Sequence, residues 1–351
     1  MAGIAIAGAG LLGRLLAWRL GHLGHDVHVF DPAGGPAPAF DGQGAAGFSA
    51  AGMLSPTAEL ERSDNRIAAL GWRSIALWGG IVEMLGRPGL MCRRGSLLLA
   101  HRGDHGSAER GLARLRHGER PPVPLSAETL QQHEPALQGT AHAWLLPDEA
   151  QIDPVATLER LHAMAAPSVR WHWRTPIAHA MAGAVLTAAG DCLRFEQVWD
   201  VRGLGSRSPR AMADLRGVRG ETVWLHAPAH GLTRPVRLLH PRHAVYLLPR
   251  GADRLFVGAS EIESEDRSPV SLRSAVELMA AAHSVMPCLA EARIERLDRN
   301  LRPALPDHQP RIEVNDGLVR INGLFRHGWL LAPALVEDAL AMADRPEALH
   351  G

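Results

Sequence analysis

Short apolar runs, glycines and one helical pattern alternate over the first 31 residues of the chain. Ile4–Ala7 is an apolar run typical of a buried strand, and the apolar positions from Leu11 to Leu20 recur at helical spacing. Val27–Phe30 is a second apolar run, and it ends at Asp31. The pattern predicts a strand, a tight turn, a helix, a second strand and an acidic residue, as in a Rossmann-type α/β unit.

Apolar spacing further along the chain predicts more helices and strands. Helices are predicted over 65–85, 107–117, 128–137, 154–164, 271–285 and 329–341. Short strands are predicted over 94–100, 169–173, 184–188, 197–201, 292–299 and 318–322. From Gly217 the segments become longer and alternate, which predicts an antiparallel sheet built from 221–226, 236–240, 244–249 and 254–258. The proline-rich run at 121–124 predicts a surface connection.

The glycines that follow the first strand form the pattern G-x-G-x-x-G. Gly8 permits a tight turn, Gly10 lets the backbone approach a diphosphate, and Gly13 lets the helix pack closely. The helix N-terminus offers unpaired amides to the phosphates. Asp31, 18 residues past Gly13, is placed to accept hydrogen bonds from a ribose diol and disfavours NADP. The chain is therefore predicted to bind an adenine dinucleotide, with NAD and FAD both open at this point.

Composition and charge exclude several broad classes of protein. The 351 residues are 46% apolar and 21% charged, which suits one or two globular domains, and no run approaches the roughly 20 apolar residues of a membrane span. The 37 basic and 37 acidic residues balance, so no nucleic-acid partner is indicated. A secretory signal peptide is disfavoured because Arg14 and Arg19 interrupt the apolar N-terminus. Cys92, Cys192 and Cys288 lie far apart, which predicts no metal site and favours a reducing cytoplasm.

The chain contains no lysine, so every basic residue in the count is an arginine, and it contains a single tyrosine, Tyr246. A pyridoxal-phosphate Schiff base, a P-loop lysine and a lysine general base each need a lysine side chain. Those three kinds of chemistry are therefore excluded.

Two further segments of small residues could approach a bulky ring. Ala51, Gly52 and Met53 belong to a run of small residues after the second strand, where a plain loop is the alternative interpretation. Gly203 and Gly205 follow the predicted strand 197–201. A glycine pair at a strand end suits the close approach of a cofactor.

The C-terminal third of the chain carries two blocks that resemble a known family. Asn300–Asp307 contains L-R-P-x-x-x-D, and Ile321–Pro333 is similar to G-H-x-R-N-G-x-L-L-A-P. Both patterns are those of the D-amino-acid oxidase and glycine oxidase family of flavoproteins, nearest to the glycine oxidases of thiamine biosynthesis. Further matches occur in order along nearly the full length, which favours FAD over NAD.

The resemblance implies a fold and a non-covalently bound FAD. It implies a Rossmann-type FAD-binding domain made of 1–85, 150–215 and 300–351, with an antiparallel-sheet substrate domain made of 86–149 and 216–299. It also implies that the C-terminal turn contacts the cofactor, through Gly323, Arg326, His327, Gly328, Trp329 and Leu330. No cysteine lies near Arg302, so a covalent flavin link is not expected.

The resemblance also implies an activity, oxidative deamination of glycine or another small amine-bearing acid with oxygen as acceptor and hydrogen peroxide as product. Arg302 is expected to hold the substrate carboxylate, Tyr246 to meet the same carboxylate, and Arg326 to be a second arginine near the site. The alternatives are purely structural roles: a surface ion pair for Arg302, ring packing for Tyr246, and stabilisation of the turn for Arg326. A role in thiamine thiazole synthesis and a homo-oligomeric assembly follow from the resemblance alone.

Departures from the family pattern keep other functions open. Leu324 and His327 stand where relatives have histidine and asparagine, Trp329 replaces a smaller residue, and Ala244 stands where some relatives have histidine. Substrate preference is therefore open. One alternative is a D-amino-acid dehydrogenase that delivers electrons to a quinone, and a second is a flavin-binding protein without turnover.

Overall fold

The computed structural model of the chain describes residues 3–138, 140–208, 211–239 and 244–344. Parts of the predicted segments lie outside this range, among them residue 240 of a predicted strand and residues 345–351. The helices are α1 (Leu11–His22), α2 (Pro56–Glu59), α3 (Asn65–Met84), α4 (His105–Leu115), α5 (Ala127–His133), α6 (Pro154–Ala165), α7 (Leu272–Val285) and α8 (Gly328–Ala343). The strands are β1 (Gly3–Ala7), β2 (Asp26–Phe30), β3 (Met53–Leu54), β4 (Met91–Cys92), β5 (Ser96–Ala100), β6 (Val123–Leu125), β7 (His142–Leu146), β8 (Ala150–Ile152), β9 (Val169–His172), β10 (Ile177–Met181), β11 (Ala184–Thr187), β12 (Cys192–Arg194), β13 (Gln197–Asp200), β14 (Arg216–His226), β15 (Val236–Leu239), β16 (Ala244–Pro249), β17 (Arg254–Gly258), β18 (Arg293–Ala304), β19 (Arg311–Asn315) and β20 (Leu318–Asn322).

A six-stranded sheet of order β19-β20-β13-β1-β2-β9 carries the N-terminal fingerprint. All its pairs are parallel except β19 with β20. Both faces of β1 are buried, because Ile4 and Ile6 pack into the cluster formed with α1, α3, α6 and α8. Ala5 and Ala7 face the opposite side, against residues of the small sheet β10-β11-β12. Burial on both faces explains why the sequence of β1 is apolar throughout rather than alternating.

An eight-stranded sheet of order β18-β14-β17-β16-β15-β5-β7-β6 forms the second layer. Its pairs are antiparallel except β15 with β5. Together the two sheets give the predicted combination of a Rossmann-type unit and a largely antiparallel sheet. The surface connection predicted at 121–124 is wrong in part, because Val123–Leu125 pairs with β7. Pro124 is compatible with this strand since β6 lies at the sheet edge, where a missing amide hydrogen breaks no ladder.

The strand β18 is longer than the sequence pattern predicts. It continues from the predicted 292–299 to Ala304, because β14 offers a continuous partner from Arg216 to His226. The L-R-P block therefore lies within a strand that crosses the predicted boundary at residue 300. This extension places the side chain of Arg302 on the sheet and beside the cavity described next.

Candidate active site

A cavity of about 1120 Å³ lies where the glycine-rich end of β1 meets the eight-stranded sheet. It exceeds the roughly 300–1,000 Å³ of most small-molecule pockets, so it has room for a dinucleotide together with a small substrate. Three of the residues predicted for the site, Gly13, Gly323 and His327, are not on its wall. The predicted residues on the wall are Gly8, Gly10, Asp31, Ala51, Gly52, Met53, Gly203, Gly205, Tyr246, Arg302, Arg326, Gly328, Trp329 and Leu330.

The turn between β1 and α1 is tightly packed on its inner side and open on the cavity side. Gly8 has φ +106°, and a Cβ there would lie 2.8 Å from the carbonyl oxygen of Val201. A Cβ on Gly13 would lie 1.8 Å from the carbonyl oxygen of Gly8, so Gly13 shapes the turn from behind. Gly10 caps α1 without a side-chain hydrogen bond, which leaves first-turn amides available to an anion. These features fit the diphosphate of an adenine dinucleotide.

Asp31 holds this turn as well as facing the cavity. Its Oδ2 accepts a hydrogen bond of 2.6 Å from the Ala9 amide, and its Oδ1 accepts one of 2.8 Å from the Ala33 amide. No sequence pattern indicated the Ala9 contact, which joins the end of β2 to the glycine turn. Each carboxylate oxygen keeps a second lone pair, so the predicted ribose contact stays a prediction compatible with this geometry.

The segment of small residues at 51–53 is fixed by a partly buried arginine, Arg250. Gly52 has φ +71°, and a Cβ there would lie 2.2 Å from the carbonyl oxygen of Ile152. Arg250 donates to the carbonyl oxygen of Ala51, and to Gln151 Oε1 at 2.8 Å. Burial lowers the pKa of Arg250 to about 10, so the guanidinium stays charged at neutral pH. The segment is therefore an anchored part of the cavity wall and not a free loop.

Arg302 projects into the cavity from β18 without a carboxylate partner among the described residues. Its Nη1 donates a hydrogen bond of 3.1 Å to the carbonyl oxygen of Ser260. The guanidinium crosses Gly220 of β14 so closely that a Cβ on this glycine would lie 2.4 Å from Nη2. Most of its donors are left free, as a bidentate carboxylate site requires.

Tyr246 approaches the same area from β16. Its ring lies across Gly258 of β17, where a Cβ would come within 2.7 Å of Cε2 and 2.8 Å of the hydroxyl oxygen. Gly258 pairs directly with Thr222, two residues from Gly220. The two glycines thus lie on adjacent strands and leave the sheet surface clear for the guanidinium and the phenol. Burial raises the pKa of Tyr246 against the opposing effect of Arg302, so the phenol is a neutral donor at physiological pH.

Arg326 is already engaged by carboxylates, unlike Arg302. Its Nε and Nη2 donate to Glu59 Oε2 at 3.1 and 3.0 Å, and Nη1 lies 3.6 Å from Glu261 Oε2. Nδ1 of the buried His327 lies 3.3 Å from the same Glu59 oxygen. Burial disfavours the charged form of Glu59, yet His327 and Arg326 hold its pKa well below the usual range. This network favours the turn-holding interpretation of Arg326.

The first residues of α8 line the cavity. Gly328, Trp329 and Leu330 are on the wall, and the helix has no side-chain N-cap. The Trp329 indole donates to the carbonyl oxygen of Gly47 at 3.0 Å, and the Trp78 indole donates to the carbonyl oxygen of Trp329 at 2.8 Å. These bonds fix the helix end, whose partial positive charge stabilises a nearby anion.

Sequence reasoning missed several residues of the cavity wall. Arg237 lies there beside Tyr246, and Glu59 and Glu261 carry the ion pairs of Arg326. Asn300 donates to the carbonyl oxygen of Gly44 at 3.1 Å. A polar residue inside an apolar strand was the available signal for Arg237, but the strand register that sets its neighbour cannot be read from one sequence.

Glu149 is a fully buried carboxyl directly before β8, the strand that pairs with β3. Its Oε2 accepts a 2.5 Å hydrogen bond from Ser96 Oγ, and Oε1 accepts one of 3.1 Å from the Ala58 amide. No arginine forms an ion pair with it among the described residues, and burial raises its pKa to about 7. The native state therefore binds a proton that the unfolded chain, with a carboxyl pKa near 4.5, has already released at neutral pH.

Glu149→Gln is expected to stabilise the protein at pH 8 and to have little effect at pH 5. A carboxyl pKa that is raised in the native state costs stability progressively between about pH 4.5 and 7, roughly 3 kcal/mol in all. The glutamine amide can donate to Ser96 while its oxygen accepts from Ala58. Urea unfolding at both pH values measures this difference. The buried, ion-paired Glu134 is the control, since Glu134→Gln should destabilise at pH 8; equal effects of Glu149→Gln at both pH values would contradict the prediction.

Comparison with known proteins adds a family and several relatives. Residues 3–340 match the family model described as DAO, FAD dependent oxidoreductase. One relative is a Rhizobium etli protein whose name is thiamine biosynthesis oxidoreductase ThiO. It is 35% identical over 337 residues, which are 95% of this chain and 94% of its own length. The glycine oxidase of Geobacillus kaustophilus is 25% identical over 98% of this chain and 92% of its own length. The crystal structure of glycine oxidase from that organism superposes with a TM-score of 0.84 at 24% identity, over 100% of this chain and 96% of that one.

Proposed function

The chain belongs to the DAO family of FAD-dependent oxidoreductases, and on that premise we propose that it oxidatively deaminates glycine or another small amine-bearing acid. Oxygen is the proposed acceptor, and the products are an imine that hydrolyses to a keto acid and ammonia, and hydrogen peroxide. The observation that carries the proposal is the meeting of Arg302, free of carboxylate partners in the described structure, with the neutral phenol of Tyr246 on one cavity wall.

The proposed roles of the chain's own residues follow from their geometry. The Arg302 guanidinium binds the substrate carboxylate through two parallel hydrogen bonds, and the Tyr246 hydroxyl donates a third. This fixes the α-carbon at one distance from the sheet, which is what a positioned reaction requires. When bound, FAD supplies the chemistry by accepting a hydride from that carbon.

Arg326 acts in this proposal as a positioning residue. Its ion pairs with Glu59 and Glu261 tie the turn before α8 to α2 and to the segment after β17. The N-terminus of α8 is thereby held against the cavity. A fixed positive helix end is suited to the negative charge that a reduced flavin carries.

A place in thiamine thiazole synthesis is proposed because the Rhizobium etli relative carries that assignment at 35% identity. The predicted division into 1–85, 150–215 and 300–351 for FAD and 86–149 and 216–299 for substrate is kept as a proposal, and the two large sheets support it. No helix in the described residues could cross a membrane. A cytoplasmic location is proposed from the three free cysteines, and a homo-oligomer is proposed from resemblance.

The test is a panel of small amino acids scored by anaerobic flavin reduction and then by peroxide release in air. Reduction by glycine, sarcosine or D-alanine followed by stoichiometric peroxide is the expected result. Reduction without peroxide, together with transfer to a quinone, would indicate a dehydrogenase instead. A flavin that none of these compounds reduces would overturn the proposed oxidation and leave a binding protein.

Gly220→Ala is expected to raise the KM of the oxidised amino acid and to lower kcat/KM by about 10²-fold with FAD still bound. The added methyl group would lie 2.4 Å from Nη2 and 2.5 Å from Cζ of Arg302, so the guanidinium must leave its place. Steady-state kinetics and the flavin spectrum measure the two effects. Gly103→Ala, whose methyl group meets no atom within 4 Å, is the control. Unchanged kinetics in Gly220→Ala would show that the position of Arg302 does not matter.

A further inference from the structure

Arg237 is a largely buried guanidinium on the cavity wall that the proposed reaction does not use. Its side chain is 17% exposed, and its closest carboxylate oxygen, Glu61 Oε2, is 4.0 Å from Nη2. Within the part of the chain that the structure describes, it donates no hydrogen bond. Its guanidinium nitrogens are accessible from the cavity, so an acceptor that enters from outside the protein can bind them.

No carboxylate of the described residues accepts a hydrogen bond from Arg237, including the fully buried Glu149, whose charged form Arg237 stabilises. Glu59 is bound by Arg326 and lies against His327, and Glu261 also faces Arg326. Glu61 lies at the outer limit of an ion pair, and 4.0 Å is too long for a hydrogen bond. The hydrogen-bond donors of Arg237 therefore stay available on this side of the cavity.

Strand register places Arg237 next to the proposed carboxylate site. Arg237 and Tyr246 are direct partners in the β15–β16 pair, so their side chains share one face with Cβ atoms about 5 Å apart. The Tyr246 ring lies over Gly258, on the side away from β15 and toward Arg302. Tyr246 thus has the Arg302 guanidinium on one side and the Arg237 guanidinium on the other. Both charges act on the phenol, opposing the effect of burial on its pKa.

We propose that Arg237 binds a second acid group of the substrate, so that the enzyme prefers small amino acids with a side-chain carboxylate over isosteric neutral ones. The inference rests on the proposed function, since Arg302 and Tyr246 are taken to hold the α-carboxylate. A planar guanidinium binds a carboxylate bidentately, which selects charge and geometry together. Arg237 is in this sense a specificity-determining residue.

The first experiment compares D-aspartate with D-asparagine, which have nearly the same shape and differ in charge. The ratio of their kcat/KM values is expected to favour D-aspartate in the unchanged protein and to fall about 10- to 100-fold in Arg237→Met. Arg237→Lys keeps the charge but not the fork, so it should keep part of the preference. Arg254→Met removes an exposed arginine of the same sheet, paired with Glu295, and should leave the ratio unchanged.

The second experiment needs no turnover. Succinate and succinamate are titrated into the oxidised FAD-loaded protein, and binding is followed by the flavin absorbance spectrum. Tighter binding of succinate, lost in Arg237→Met and partly kept in Arg237→Lys, supports the inference even if no amino acid reduces the flavin. Equal affinities in the unchanged protein, or a preference that survives Arg237→Met, overturn it even if glycine is oxidised. Flavin reduction therefore tests the proposed function, and the ligand affinities test this inference independently of it.

Discussion

Replacing Arg302 by alanine is expected to raise the substrate KM and to lower kcat/KM by about 10²- to 10³-fold, with FAD still bound. The variant removes the bidentate partner of the substrate carboxylate, and a lost charge-assisted pair in a site shielded from water costs about 3–4 kcal/mol. Within the described ranges Arg302 makes one hydrogen bond to the protein, with the carbonyl oxygen of Ser260, so the fold should tolerate the change. Steady-state kinetics measure KM and kcat/KM, and the ratio of flavin to protein absorbance measures the bound FAD.

Two further variants make the Arg302 result specific. Arg302→Lys retains a charge without the planar fork, so its loss should be intermediate if geometry matters as well as charge. Arg293→Ala removes an exposed arginine from the same strand, 76% accessible, and should leave kcat/KM unchanged. Equal turnover by Arg302→Ala and the unchanged protein would remove the assigned role.

The N-terminal part of the cavity could be predicted from sequence because its parts are contiguous. The turn at Gly8 and Gly10 lies between β1 and α1, and local steric rules give each glycine its reason. Even there the prediction was incomplete. The hydrogen bond from the Ala9 amide to Asp31 joins residues 22 apart and depends on how β2 pairs with β1.

The substrate side of the cavity depends on strand register, which a single sequence does not specify. Arg302 and Tyr246 meet because β18, β14, β17 and β16 pair in one order, and because two glycines clear the surface between them. The family resemblance pointed to both residues, but not to that surface. Arg237 was missed for the same reason, since its neighbour is set by the β15–β16 pairing.

Ion pairs between residues far apart in sequence were the second feature of the site that could not be predicted from the sequence. Arg326 was predicted near the site, yet its partner Glu59 is 267 residues away and sits on a four-residue helix with no distinctive pattern. His327 lies buried against Glu59 and off the cavity wall, and its predicted contact with the cofactor stays a prediction. Gly323 has φ +75° and packs against Leu305, so its role is in the turn that precedes α8.

Replacing Gly13 by alanine is expected to give a protein that retains little FAD after purification and unfolds more readily. The added Cβ would lie 1.8 Å from the carbonyl oxygen of Gly8, and Gly8 has little room to move because even a Cβ on it would come within 2.8–3.0 Å of Val201 and Arg202 backbone atoms. The turn must therefore open, which moves the amides that face the diphosphate. The FAD-to-protein absorbance ratio, FAD titration and urea unfolding measure the loss.

Gly80→Ala is the control, because it lies in the interior of α3 with no atom within 4 Å of the new methyl group. It should keep FAD and raise the free energy of unfolding by about 0.5–1 kcal/mol. Full FAD content in Gly13→Ala would show that the close contact between turn and helix is not what shapes the cofactor site.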